Sequence, residues 1–149
     1  MISEHSIPVK PELFELLEKI DKEDDTAKIV ELVRIFGAKY NYFTDYLRCA
    51  FDDTIEFLLP EGRPPYTPSH ESSYPSTWKK QHMQLAYFVK GLKADGMNPV
   101  KRETMFIQML EGIHPEDALH ISNLPSKRVE VSGLTKEVVQ EALPNLLKK

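Results

Sequence analysis

The apolar spacing i, i+3, i+4, i+7 recurs along this chain, and it restricts the possible folds more than any motif does. It puts four side chains on one face of a 3.6-residue helix. The matches are Leu13, Leu16, Leu17, Ile20; Ile29, Leu32, Val33, Phe36; Phe43, Tyr46, Leu47, Ala50; Leu85, Phe88, Val89, Leu92; and Phe106, Met109, Leu110, Ile113. No period-two alternation of similar length competes, and Val129-Glu130-Val131 is the one short stretch that reads as extended. The pattern predicts an all-α chain, a compact bundle of six to seven short helices.

Start and stop residues agree with the period. Pro11 suits a first helical turn, where its missing N–H costs nothing, with Glu12 and Glu15 at the positive end of the dipole. Asp24 or Asp25 caps the second helix, which the sequence predicts to stop near Gly37. Asn98-Pro99 opens another helix that Gly112 closes, and Pro115-Glu116-Asp117 begins a short one. Thr135 or Ser132 caps the last, Lys136 to Leu143, and Pro144 ends it because the ring blocks continuation.

Leu59 to Thr77 breaks the series. It holds five of the chain's eleven prolines, and proline restricts its neighbours to extended or turn conformations. Connectors of this length are uncommon in compact domains, so the stretch is a functional loop or divides two helical halves of one domain spanning residues 1–149. The favoured reading is a long proline-rich crossing loop, ordered across the helices and anchored by Tyr66, Tyr74 and Trp78.

Composition excludes several classes. A chain of 149 residues buries roughly 68–70% of its unfolded surface, enough for a core without staples. Apolar runs are as short as Phe57-Leu58-Leu59, far below a bilayer span, and the first residues lack the basic and apolar regions of a secretory signal. One cysteine, Cys49, allows no internal disulfide. It falls beside the Phe43–Ala50 stripe, where a thiol behaves as a small core hydrophobe with a raised pKa. The net charge of −4 is unevenly spread, with nine acidic and four basic residues from Met1 to Glu31. From Ser76 to Thr104 the balance reverses, with Lys79, Lys80, Lys90, Lys93, Lys101 and Arg102 against Asp95 and Glu103.

Motifs for chemistry are sparse. His5, His70, His82, His114 and His120 lack the His pair at i, i+4 with an intervening Glu that zinc hydrolases carry, although Asp117, His114 and His120 are close in sequence. No metal ligand set and no cofactor is expected. There is neither a G-x-S-x-G nor a P-loop, and the six glycines are scattered. Asp52-Asp53-Thr54 reads as a helix start rather than a carboxylate pair with Glu56. Trp78, Lys79, Lys80 and Tyr87 combine charge with aromatic surface, as single-strand binders do. Lys101 and Arg102 open a helix at the end least suited to cations. Phosphate would explain them, and so would Glu103 or an acidic neighbour, which is the favoured explanation.

Three segments carry a family resemblance: Phe51 to Tyr66, Lys101 to Ala118 and Gly133 to Leu147. Together they resemble a family of small uncharacterised proteins from T-even-like tailed phages of marine cyanobacteria. The chain departs from that family after Ala118, reading SNLPSKRVEV where relatives carry a lysine-rich stretch. The resemblance brings no catalytic residues. Many structural signals with no convergent polar constellation point to a non-enzymatic function, and with the resemblance the favoured reading is a phage accessory or adaptor protein in the cytoplasm of an infected bacterium, or in the virion. Its partner would be a phage or host protein met through Arg63, Tyr66, Tyr74 and Trp78. The alternative is single-stranded nucleic acid bound by Lys79, Lys80, Lys101 and Arg102, and a metal-dependent hydrolase using Asp117, His114 and His120 comes third.

Overall fold

The computed structural model describes residues 11–60, 62–91 and 93–147. His5, Leu92, the Lys93 side chain and the start of the chain lie outside the described residues. Helix α1 (Leu13–Asp21) buries all four members of its stripe, Leu13, Leu16, Leu17 and Ile20. Each such side chain contributes about 1.5–3 kcal/mol by leaving water. Its N-cap is Glu12, and the Glu12 N–H donates to Glu15 Oε1 at 2.9 Å. Pro11 therefore precedes the helix rather than occupying its first turn, and its carbonyl accepts the Tyr42 hydroxyl at 2.6 Å.

Helix α2 (Thr26–Lys39) is capped by Asp25, whose carboxylate accepts the Ala27 N–H at 2.9 Å. It runs through Gly37 instead of ending there. A Cβ at Gly37 would lie 2.7 Å from Leu143 Cδ1, so the glycine admits the segment after α7 rather than stopping a helix. Helix α3 (Asn41–Phe51) ends at Asp52. The Asp52 carboxylate accepts the Thr54 N–H at 2.9 Å and the Thr54 hydroxyl at 2.6 Å. Asp52-Asp53-Thr54 is thus a turn closing α3, not the start of a helix, because the aspartate finds its donor two residues on.

The Leu85 stripe gives the largest departure from expectation. Helix α4 (Trp78–Gln81) is one turn long and passes into a 3-10 segment, His82–Tyr87. Beyond it Val89 forms an isolated antiparallel bridge with Phe57. The Leu58 N–H donates to Phe88 O and the Lys90 N–H to Glu56 O, both at 2.8 Å. Phe88 and Val89 are buried, and this pairing takes the backbone groups an α-helix would need.

Asn98 caps α5 (Pro99–Gly112), accepting from Val100 N at 2.8 Å. His114 caps α6 (Pro115–Ser122), its Nδ1 accepting from Glu116 N at 3.0 Å. The Thr135 hydroxyl caps α7 (Lys136–Ala142), accepting from Val138 N at 3.2 Å. Among the described residues, extended pairing is limited to two isolated bridges, so Val129–Val131 is not a strand. The fold is all-α. Buried residues from both sides of the proline-rich segment, from Leu13 to Leu147, form one cluster. No helix among the described residues is long and apolar enough to cross a membrane.

Candidate functional site

The proline-rich connector lies strapped across the helices. The Gly62 N–H donates to Ser126 Oγ at 2.8 Å, the Thr67 N–H to Glu111 Oε2 at 2.8 Å, and the Ser76 N–H to Gly112 O at 2.8 Å. The Ser69 hydroxyl donates to the Glu111 carbonyl. These bonds satisfy backbone groups that proline-interrupted chain cannot pair with itself. The four residues expected to dock a partner are thereby divided. Trp78 is fully buried, its indole N–H donating to Tyr42 O at 3.0 Å. Tyr66 and Tyr74 are half-buried. Arg63 stays exposed, with Nη2 3.3 Å from Asn123 Oδ1 and 3.8 Å from Glu130 Oε1. A solvent-facing role at Trp78 is corrected, because the ring fills the core.

Around the start of α1 lies a buried polar cluster that sequence reasoning missed. Asp117, in the first turn of α6, is wholly buried and accepts the Phe14 N–H at 2.7 Å. It caps a helix other than its own. Burial pushes its carboxyl up to about 8, opposed by the bonds from the Phe14 and Leu13 backbone and reinforced by nearby Glu12. Lys79 Nζ lies 2.8 Å from Glu12 Oε1, and both groups are largely shielded. His114 stacks on Phe14 at 4.3 Å, and Tyr74 meets the same imidazole edge-on at 5.1 Å. His114 and Asp117 serve as caps here.

A groove of about 490 Å³ opens where α1, α6 and the segment around Glu130 meet. Leu17 and Val131 form part of its floor, and both are buried. Leu119, 39% exposed, stands among its lining residues. Glu18, Asp21, Glu116 and Glu130 line it together with His120. Burial lowers the imidazole pKa, while Glu116, Glu130 and Asp21 pull it the other way. Two of the carboxylates are held in position. Asp21 Oδ1 accepts the Ser132 N–H at 2.7 Å, and Glu130 Oε1 accepts from Asn123 Nδ2 at 3.2 Å. Residues 17, 21, 119, 120 and 130 meet only after folding, so no spacing in the sequence could announce the groove.

The cations proposed for nucleic acid do not act as a set. Lys79 pairs with Glu12, and Arg102 is buried, its guanidinium donating to Leu58 O at 3.0 Å and Met97 O at 2.9 Å. Two backbone carbonyls therefore give Arg102 a structural role at the helix start. Lys80 and Lys101 remain exposed. Among the described residues, no three His, Cys, Asp or Glu side chains are grouped so as to hold a metal ion. Cys49 is buried and its thiol is pushed up to about 12 by desolvation.

A family model described as a family of unknown function, DUF6433, matches residues 16–131. That range contains the segments Phe51–Tyr66 and Lys101–Ala118, whereas Gly133–Leu147 lies beyond it. No curated protein and no solved structure matches the chain.

Proposed function

The chain belongs to that family, and we propose that it works as a non-enzymatic adaptor, binding another protein through the α1/α6 groove and the adjoining connector. The groove's mixed lining carries this reading: an apolar floor beside carboxylates that the fold holds in place. Arg63 extends the same surface, since it reaches Asn123 and Glu130 at the groove's edge. Aromatic and arginine anchors next to a preformed concavity are the features that concentrate binding energy at interfaces. The resemblance of three segments to T-even-like phage proteins supports a setting in the cytoplasm of an infected bacterium, with a phage or host protein as partner.

Affinity capture from infected-cell lysate tests the proposal. Leu119→Ser and Arg63→Ala, both at exposed positions, should reduce recovery of a partner that the unchanged protein retains. Equal recovery by all three folded proteins would overturn it. The single-stranded nucleic-acid reading keeps Lys80 and Lys101 on the surface. It requires affinity that falls steeply with salt. A labelled oligonucleotide that fails to bind at low salt would dispose of it.

A further inference from the structure

Within the connector, Arg63-Pro64-Pro65-Tyr66-Thr67-Pro68 is the stretch in which proline governs the backbone most completely. The rings fix φ at Pro64, Pro65 and Pro68, and Arg63 and Thr67, each preceding a proline, are pushed to extended backbone. Residues 63–69 form no helix, turn or bend. The conformation such a stretch favours is the polyproline II helix, with three residues per turn and no internal hydrogen bonds.

The surroundings of the segment follow that period of three. Arg63 reaches Asn123 Oδ1 at 3.3 Å, Tyr66 packs half-buried against the core, and the Ser69 hydroxyl donates to the Glu111 carbonyl. These residues, at i, i+3 and i+6, make the face turned to the protein. Pro65 and Pro68, also three apart, are both exposed. The backbone is open as well: no hydrogen bond among the described residues ends on the carbonyls of residues 63–68. The Gly62 N–H on Ser126 and the Thr67 N–H on Glu111, each at 2.8 Å, fasten the segment to the body.

We propose that Pro65 and Pro68 form a ready-made polyproline ligand, and that the partner protein meets them with a groove lined by aromatic side chains whose hydroxyl or indole N–H groups bond the open carbonyls. Grooves of this kind seat proline rings against aromatic faces and read a Pro-x-x-Pro segment through its three-residue period. Anchoring by Gly62, Tyr66 and Ser69 orders the segment before it binds, which lowers the entropy lost on association. Addition to a sheet edge is the poorer mode, because three prolines in six residues leave too few N–H donors for a ladder. The proposal rests on the adaptor reading and specifies the chemistry of its partner.

The test uses the full chain, with poly-L-proline and a panel of small domains whose grooves are lined by tryptophan and tyrosine as probes. At least one domain should bind the chain, and excess poly-L-proline should displace it. Pro65→Ala and Pro68→Ala should each weaken that binding on the order of tenfold, as loss of an anchoring side chain at an interface does. Pro64→Ala, half-buried and off the exposed face, should weaken it less. Urea unfolding checks that the variants keep their fold, and where one does not, competition by poly-L-proline on the unchanged chain decides. No binding by any domain, no competition, or equal affinity in the Pro65 and Pro68 variants would overturn the proposal. Capture from infected-cell lysate separates it from the adaptor reading. A partner lost with Leu119→Ser but indifferent to both prolines and to poly-L-proline removes the polyproline ligand and leaves the adaptor. A partner indifferent to Leu119, Arg63 and both prolines removes the two together.

Discussion

The Asp117 carboxylate accepts the Phe14 N–H at 2.7 Å across 103 positions of sequence, so the first turn of α6 caps the first turn of α1. Capping oxygens satisfy N–H groups that the helix cannot pair internally. Asp117 is wholly buried, so its removal strips the Phe14 N–H of this acceptor inside the protein. Asp117→Ala should cost about 1–3 kcal/mol of unfolding free energy in urea at pH 5. Asp117→Asn retains an acceptor oxygen and should lose less. Equal losses would show that packing, and not the bond, matters at this position.

The same carboxyl gives stability a pH dependence of defined sign. Its value is about 8 folded against 3.8 for the free group. The folded state thus holds the proton more tightly, and the associated stability is fully present below about pH 4. It declines as pH rises towards 8 and changes no further above that. Chemical unfolding measured from pH 4 to 9 should show a wild-type decline that Asp117→Asn lacks. Parallel curves would refute the assignment.

Gly133 combines two constraints. Its φ is +78°, and an added Cβ would lie 2.5 Å from Ile29 Cδ1. Gly133→Ala should lower stability by about 1–3 kcal/mol through left-handed strain and the displaced isoleucine. Ile29→Val removes the obstructing methyl at an independent cost of about 0.5–1.5 kcal/mol. The alanine should then cost less in the Ile29→Val background than alone. A double-mutant cycle reads that coupling, and strict additivity would exclude the contact.

Arg102 and Lys101 are neighbours with opposite expectations. Arg102 ties the carbonyls of Leu58 and Met97 to the first turn of α5, whereas Lys101 is exposed. Arg102→Ala should lower the melting temperature by several degrees, consistent with about 1–3 kcal/mol for stranded acceptors. Lys101→Ala should change it little. Thermal unfolding of both variants decides the matter, and equal effects would remove the structural role given to Arg102.

Much of the helical framework was legible in sequence. Asn98-Pro99, Pro115-Glu116-Asp117 and Thr135 mark helix starts because capping and first-turn preferences act over two or three residues, and four of the five apolar stripes became buried helix faces. The Leu85 stripe misled because the same apolar spacing serves a 3-10 turn followed by a bridge, once Phe57 is there to pair with Val89. Gly37 misled because a helix-stopping glycine and a glycine making room for Leu143 look alike until the second segment is placed.

By itself, the sequence determined an all-α chain: periodicity and capping act within a turn or two and need no knowledge of the rest. The tertiary structure alone decided that Asp117 caps α1, that Arg102 serves backbone carbonyls, and that Trp78 belongs to the core. It also gathered Leu17, Asp21, Leu119, His120 and Glu130 around one groove. The longest of those relationships, Asp117 with Phe14, Arg102 with Leu58 and Trp78 with Tyr42, join residues tens of positions apart. Burial and hydrogen bonding fix them only when the helices pack, and no local pattern records which distant partner a side chain will meet.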